Sequence, residues 1–466
     1  MDSVDLYMLT FNCARTPVDT DLFASHFFDA LPAAASTTSE TSSPAPELIV
    51  LCLQEIAPIA YAFLGGSYLD YYFDIFHRVV DQAVAGKKKH WGAASYDILV
   101  RDNSGMTGLM VFARSDVVDR VSKIDSARVG FGVQQMGNKG AVGARLGYAK
   151  DGRAENTVDL TFVAAHLAPM EYAWEQRNKD WQTLVERLVF SREQSTKEQG
   201  RRRNEAEAGA GANSEESVAL LHEEENSKDN GVFTPTTYVF LGGDLNYRTS
   251  NTSPLKEDHA RFPRLNADPD SPQHYLQLLK GDQLLREMRS HRSFQGMTEA
   301  EITFPPTYKY TSAARQAARE AIQNNAIQSQ EWKWTSSRWP SWCDRILYLD
   351  TPSWMEGNRK VQPHKYDALP LFPTSDHRAV GLSVTIPLDA ISVPQGGVNA
   401  AGDVRLAAPF SVDPEWRSKR KSARAKELAV GYLAFISWTW EGNGFLLASI
   451  LGIVGAWLAL GSLLTT

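Results

Sequence analysis

The string Gly243-Asp244-Leu245-Asn246-Tyr247-Arg248 sets a carboxylate, an amide and a guanidinium at every second position. A carboxylate that orients or deprotonates water, an amide for a phosphate oxygen and a nearby cation are what hydrolysis of a phosphate ester requires. The apolar run 238–241 before it reads as a buried strand. The intervening Gly242-Gly243 is expected to turn the backbone sharply and deliver Asp244 and Asn246 to a sheet end. Taken alone, the string also suits an ordinary strand-to-loop turn in which Asp244 accepts from backbone amides.

Other strand ends carry groups of the same kind. The run 6–11 ends in Asn12, 48–53 ends in Gln54-Glu55, and 160–165 ends in His166. Trp342-Cys343-Asp344-Arg345 leads into the apolar 346–349, and Ser375-Asp376-His377-Arg378 precedes the apolar 379–384. Any one of these is compatible with a capped strand or a hydrogen-bonded core histidine. Together they supply carboxylates for a hard divalent cation, histidines and amides for phosphate oxygens, and an aspartate for the nucleophile.

The string GDLNYR, with WCDRIL about a hundred residues on and SDHR after it, resembles the inositol polyphosphate 5-phosphatases. Their wider relatives are Mg-dependent nucleases and neutral sphingomyelinases. The resemblance spans residues 12 to about 384 and includes Gly137-Asn138-Lys139-Gly140-Ala141-Val142 and Arg177-Asn178-Lys179-Asp180. Two positions depart from the family pattern: Pro169-Met170 follow His166-Leu167-Ala168, and Ala379 stands where a proline is usual.

The resemblance implies an α/β fold, a two-sheet, four-layer α/β/β/α sandwich of the DNase I-like type. It implies Mg²⁺ at Glu55, with Asn12 and Asp376 helping, and Asp244 acting on the attacking water. Asn246, His166 and His377 would contact the scissile phosphate, with the choice of histidine for the leaving oxygen left open. Tyr308, Lys309 and Arg345 would bind a neighbouring 4-phosphate, Lys139 a phosphate on the 1-position side, and Arg248 and Asp344 would support the site. The implied substrate is a phosphoinositide lipid with vicinal phosphates, foremost phosphatidylinositol 4,5-bisphosphate, with soluble inositol phosphates an alternative. A same-fold nuclease or sphingomyelinase, and a non-catalytic lipid tether, are the competing readings.

Composition and the remaining segments set the context. The net charge of −7 argues against a nucleic-acid partner, which favours a basic face. Three cysteines without metal-ligand spacing read as buried thiols of a reducing compartment. Residues 1–390 are expected to form one catalytic domain, acting as a monomer, with surface insertions at 33–46 and 195–230. A linker 391–416 leads to the basic segment 417–427, a short apolar stretch 428–440 read as an interfacial helix, and residues 445–464. That last run holds twenty uncharged residues, long enough at 1.5 Å per residue for a hydrocarbon core of roughly 30 Å. It is expected to be a C-terminal transmembrane anchor, with the domain in the cytosol and the endoplasmic reticulum as host membrane. No candidate for the chemistry lies beyond Arg378, so this tail reads as separable from catalysis.

Overall fold

The computed structural model describes residues 3–32, 44–149, 157–191, 231–323, 332–352, 354–355, 359–389, 391 and 402–464. The expected insertion 195–230, most of 33–46 and residues 392–401 of the linker fall outside them. One sheet is built from β1 (Ser3–Asn12), β2 (Leu48–Gln54), β3 (Tyr96–Ser104), β4 (Thr107–Arg114), β11 (Gln362–Leu371) and β12 (Arg378–Pro387). The other holds β5 (Val121–Gly130), β6 (Gly140–Ala149), β7 (Thr157–His166), β8 (Thr237–Asp244), β9 (Thr298–Glu299) and β10 (Asp344–Tyr348). Their orders are β11-β12-β1-β2-β4-β3 and β5-β6-β7-β8-β10-β9.

Alternation along the central strands explains the layering. On β1, Leu6 and Met8 enter a core shared with Phe162, Phe240 and Ile346 of the opposite sheet. Tyr7, Leu9 and Phe11, between and after them, face outward beneath α1 (Thr20–His26), α2 (Ile59–Leu64), α3 (Asp70–Gly86) and α4 (Lys88–Trp91). On β8, Val239 and Leu241 likewise turn outward, toward Trp181 and Leu184 of α5 (Trp174–Arg187). Strands covered on both faces read as unbroken apolar runs, which is why 48–53 and 160–165 carry no polar alternation.

β1 and β2 run parallel, with Asn12 opposite Gln54. β7 and β8 also run parallel, with His166 opposite Asp244. The C-terminal ends of these pairs therefore meet at one edge of the sandwich. β10 is antiparallel to β8 and starts there, with Asp344 opposite Asp244, while β12 starts one residue after His377.

Gly242 and Gly243 do not make the expected turn, because both lie inside β8. A Cβ on Gly242 would fall 2.9 Å from Met8 Cε of the facing sheet, and one on Gly243 would fall 2.0 Å from the Ala165 carbonyl oxygen. Their role is close approach, and the left-handed backbone comes further on, at Asn246 with φ +58°.

Sequence periodicity over 274–290 suggests one helix, but the chain forms α6 (Tyr275–Leu279) and α7 (Gln283–Arg289). Asp282 divides them by capping the second, accepting from Leu285 N at 2.9 Å. Then follow α8 (Ser312–Gln323), α9 (Trp416–Trp438) and α10 (Trp440–Leu464). The basic segment and the stretch 428–440 are thus not separate units, since α9 runs through both up to Trp438. Among the described residues no helix is long and apolar enough to cross a membrane, so the expected transmembrane anchor is not found. α10 takes Glu441-Gly442-Asn443-Gly444, expected to be a spacer, into its first turns.

Candidate active site

Asp244, at the end of β8, is the hub. Asn12 Nδ2 donates to its Oδ2 at 2.9 Å across the gap between the sheets. His166 Nε2 lies 3.2 Å from the same oxygen and His377 Nε2 lies 4.0 Å from it. Asp244 Oδ1 accepts from Asn246 N at 3.1 Å, an Asx-type closure that holds the left-handed turn. Asn246 is fixed in turn: its Nδ2 donates to Leu167 O at 3.2 Å and its Oδ1 accepts from Arg248 Nη2 at 2.6 Å. Arg248 is buried, with its guanidinium 4.6 Å from the centre of the Tyr308 ring.

His377 Nδ1 is 2.9 Å from Asp344 Oδ2, which also accepts from Thr307 Oγ1 at 2.6 Å. Beside it, Lys309 Nζ pairs with Asp376 Oδ2 at 3.1 Å. On the opposite side Lys139 Nζ contacts His166 Nε2 and lies 3.8 Å from Glu55 Oε1. Glu55 holds φ +47° just past β2, and its other oxygen pairs with Arg15 Nε at 3.0 Å.

Burial and neighbours pull these groups apart in protonation. Burial would raise the Asp244 carboxyl, but His166, His377 and Lys139 outweigh it and hold it far below the usual range. Burial pushes Asp344 up, only partly offset by His377. Burial opposes charge on His377 too, yet Asp344, Asp244 and Asp376 push it up to about 9. His166 is lowered by burial and by Lys139, and Lys139 is itself lowered by burial. At neutral pH the site thus holds an ionised Asp244 between a neutral His166 and a protonated His377.

The strand ends bring Asn12, Glu55, Lys139, His166, Asp244, Asn246, Asp344 and His377 into one connected set, with Tyr308, Lys309 and Asp376 at its side. Arg345 does not join it. Next to Asp344 on β10 it points the other way, with Nη1 held by Asp282 at 3.1 Å and Nε by Glu299 Oε1 at 2.6 Å. Its side chain is 0% exposed, so the expected contact with a substrate phosphate is corrected to an internal ion-pair network. Sequence reasoning missed Thr307 and Ser375. Ser375 Oγ donates to Asn12 O at 2.6 Å and accepts from His377 N at 3.0 Å, joining β1 to the histidine loop. Ser375 sits inside a motif already recognised and Thr307 directly before Tyr308, but a lone hydroxyl carries no signal of its partner.

The residues fit a divalent metal ion. Asp244, Asp344 and His377 offer ligand atoms all within 4.8 Å of one another. Asp344 Oδ1 is buried with no hydrogen-bond partner. Carboxylate oxygens of this kind suit a hard cation. Asn12, expected as a ligand, directs Nδ2 to Asp244 and Oδ1 to Ala14 N at 3.0 Å, so here it orients the aspartate.

Two facing sheets flanked by helices, with a carboxylate–histidine cluster at their common edge, define the DNase I-like sandwich class. Residues 9–383 match the family model described as Endonuclease/Exonuclease/phosphatase family 2, and the chain belongs to that family. Among curated relatives it is 34% identical over 256 residues to the type I inositol polyphosphate 5-phosphatase 13 of Arabidopsis thaliana, covering 53% of this chain and 19% of that protein. It is 26% identical over 276 residues to the inositol-1,4,5-trisphosphate 5-phosphatase 1 of Schizosaccharomyces pombe, covering 59% and 18%. The matched region is thus about a fifth of the length of these relatives. The fold is similar to that of the inositol polyphosphate 5-phosphatase domain of a synaptojanin solved with inositol (1,4)-bisphosphate and a calcium ion. The TM-score is 0.54 at 21% identity, over 92% of this chain and 90% of that one.

Proposed function

We propose that the chain hydrolyses the 5-phosphate of a phosphoinositide, foremost phosphatidylinositol 4,5-bisphosphate, with Mg²⁺ bound. The observation that carries this reading is the position of Asp244, ionised and held by Asn12, His166 and Asn246 where both sheets end. Asp244 orients the attacking water and takes its proton. His377, kept protonated by Asp344, donates to the phosphate or to the departing oxygen. Lys139 neutralises phosphate charge from the opposite side, and Lys309 with Tyr308 is placed to receive the neighbouring phosphate. Mg²⁺, held by Glu55 with the Asp244 and Asp344 carboxylates, would neutralise the phosphoryl oxygens when bound.

We also propose a membrane surface as the place of action. Tyr432, Leu433, Trp438, Trp440 and Phe445 are exposed on consecutive helices α9 and α10, with Trp440 90% exposed, and aromatic residues of this kind favour a lipid interface. The test is the full chain with Mg²⁺ against a panel of phosphoinositides in vesicles, soluble inositol phosphates, sphingomyelin and abasic DNA, with Asp244→Ala as control. Phosphate released from the 5-position, abolished by a chelator and reduced about 10²- to 10⁴-fold in the control, supports the reading. Turnover of DNA or sphingomyelin in place of the inositol substrates sinks it.

A further inference from the structure

The segment 131–139 carries Lys139 into the site. It is a tight loop with Gln134 and Gln135 at φ +57° and +65°, closed at its base by Phe131 N donating to Lys139 O at 2.8 Å. Its far side leans on the β3–β4 turn, where Met106 N donates to Gly137 O at 2.8 Å. That approach is so close that a Cβ on Gly105 would fall 2.3 Å from the Gly137 carbonyl oxygen.

One hydrogen-bonding group of the loop is satisfied by a distant part of the chain. Gly137 N donates to Glu427 Oε1 at 2.7 Å, from the middle of α9. Glu427 is buried, in a stripe with Ala423, Gly431 and Ala434. Arg424, one turn earlier, pairs with Glu427 Oε2 at 3.2 Å and donates through Nη2 to Leu64 O at 2.7 Å and through Nη1 to Phe63 O at 2.5 Å. These are carbonyls at the C-terminal end of α2, the negative end of that helix's dipole. Gly431 lets the helices close, since a Cβ there would lie 3.1 Å from Phe63 Cβ. Lys426 Nζ adds a contact to Gln134 Oε1 at 3.1 Å. The region matching the family ends at residue 383, so this bracket lies outside it.

We propose that α9 is a working part of the catalytic unit: Glu427, braced by Arg424 on α2, is a positioning residue that holds the 131–139 loop and so keeps Lys139 against Glu55 and His166. The role assigned to Lys139 rests on the phosphatase reading, while the restraint on the loop does not. The C-terminal helices are then coupled to the site, and whatever engages α10 acts on the chemistry through its neighbour.

The test compares full-length wild type, Glu427→Ala and Glu427→Gln by hydrogen exchange and by steady-state kinetics on a soluble inositol phosphate. In Glu427→Ala, exchange over 131–139 should accelerate while β8 stays protected, and kcat/KM should fall about 10- to 100-fold. Glu427→Gln, which keeps the acceptor, should restore both to within about threefold. In a Lys139→Ala background the Glu427→Ala loss should largely disappear, because both act through one group. Unchanged exchange over 131–139 overturns the proposal, as does faster exchange shared equally by β8, or freed loop amides with unaltered kinetics. Should the wild type release no 5-phosphate at all, the proposed function fails, and the exchange comparison still decides whether α9 holds the loop.

Discussion

Three carboxylates crowd one imidazole at His377, and the result is a measurable link between protonation and folding. The ring is pushed up to about 9 in the native protein, against an ordinary value of 6.5. The native state therefore keeps a proton that the unfolded chain releases between those values. The stabilisation is complete below about pH 6.5 and lost as pH rises through about 9. In the presence of chelator, the unfolding free energy should drop over that window by as much as about 3 kcal/mol, and His377→Gln should flatten the decline. A wild-type stability curve with no slope there would mean that the ring is not charged in the native state. The sequence announced His377 and Asp244 through their motifs, whereas the partnership of Asp344 with Thr307 was not readable. It joins residues 37 positions apart in the chain and depends on which way one hydroxyl points.

Among elements, β10 shows how a motif can be recognised while one of its members is misassigned. Consecutive strand residues face opposite sides, so Asp344 in the site obliges Arg345 to look away from it. There the guanidinium ties β10 to the cap of α7 through Asp282 and to β9 through Glu299. Replacing Asp282 by Ala removes the α7 cap and leaves a buried cation short of one partner. The expected cost is about 3–5 kcal/mol of stability, read as a lowered Tm, with KM for a soluble inositol phosphate unaltered. A raised KM with an intact Tm would return Arg345 to the substrate. Gly242-Gly243 taught a similar lesson. Glycine pairs signal either a turn or a close approach, and only the neighbour at the missing Cβ, here Met8 or the Ala165 carbonyl, tells which.

At the scale of the whole molecule, the two-sheet arrangement was implied by the family resemblance, while the strands covered on both faces were legible directly, because they must be almost wholly apolar, as 48–53 and, but for Thr161, 160–165 are. The role of the C-terminal region was not, because local sequence showed a basic run and an apolar run but not the surface that would receive them. Arg424 and Glu427 read as members of a charged segment, and only the fold reveals that one caps α2 and the other reaches Gly137.

The bond from Asn12 to Asp244 is one of a few polar links, with Tyr366 to Ile346 N and Arg128 to Asp102, between two sheets whose shared interior is apolar and has no directional preference. A slide of one sheet over the other by a fraction of an ångström would lengthen the Asn12–Asp244 bond and shift Asp244 within the site. The protein should therefore act as its own strain gauge. In rising urea, turnover is expected to fade before the circular dichroism of the strands changes, and coincident loss of both would show the two halves to be locked together more firmly than their greasy contact suggests.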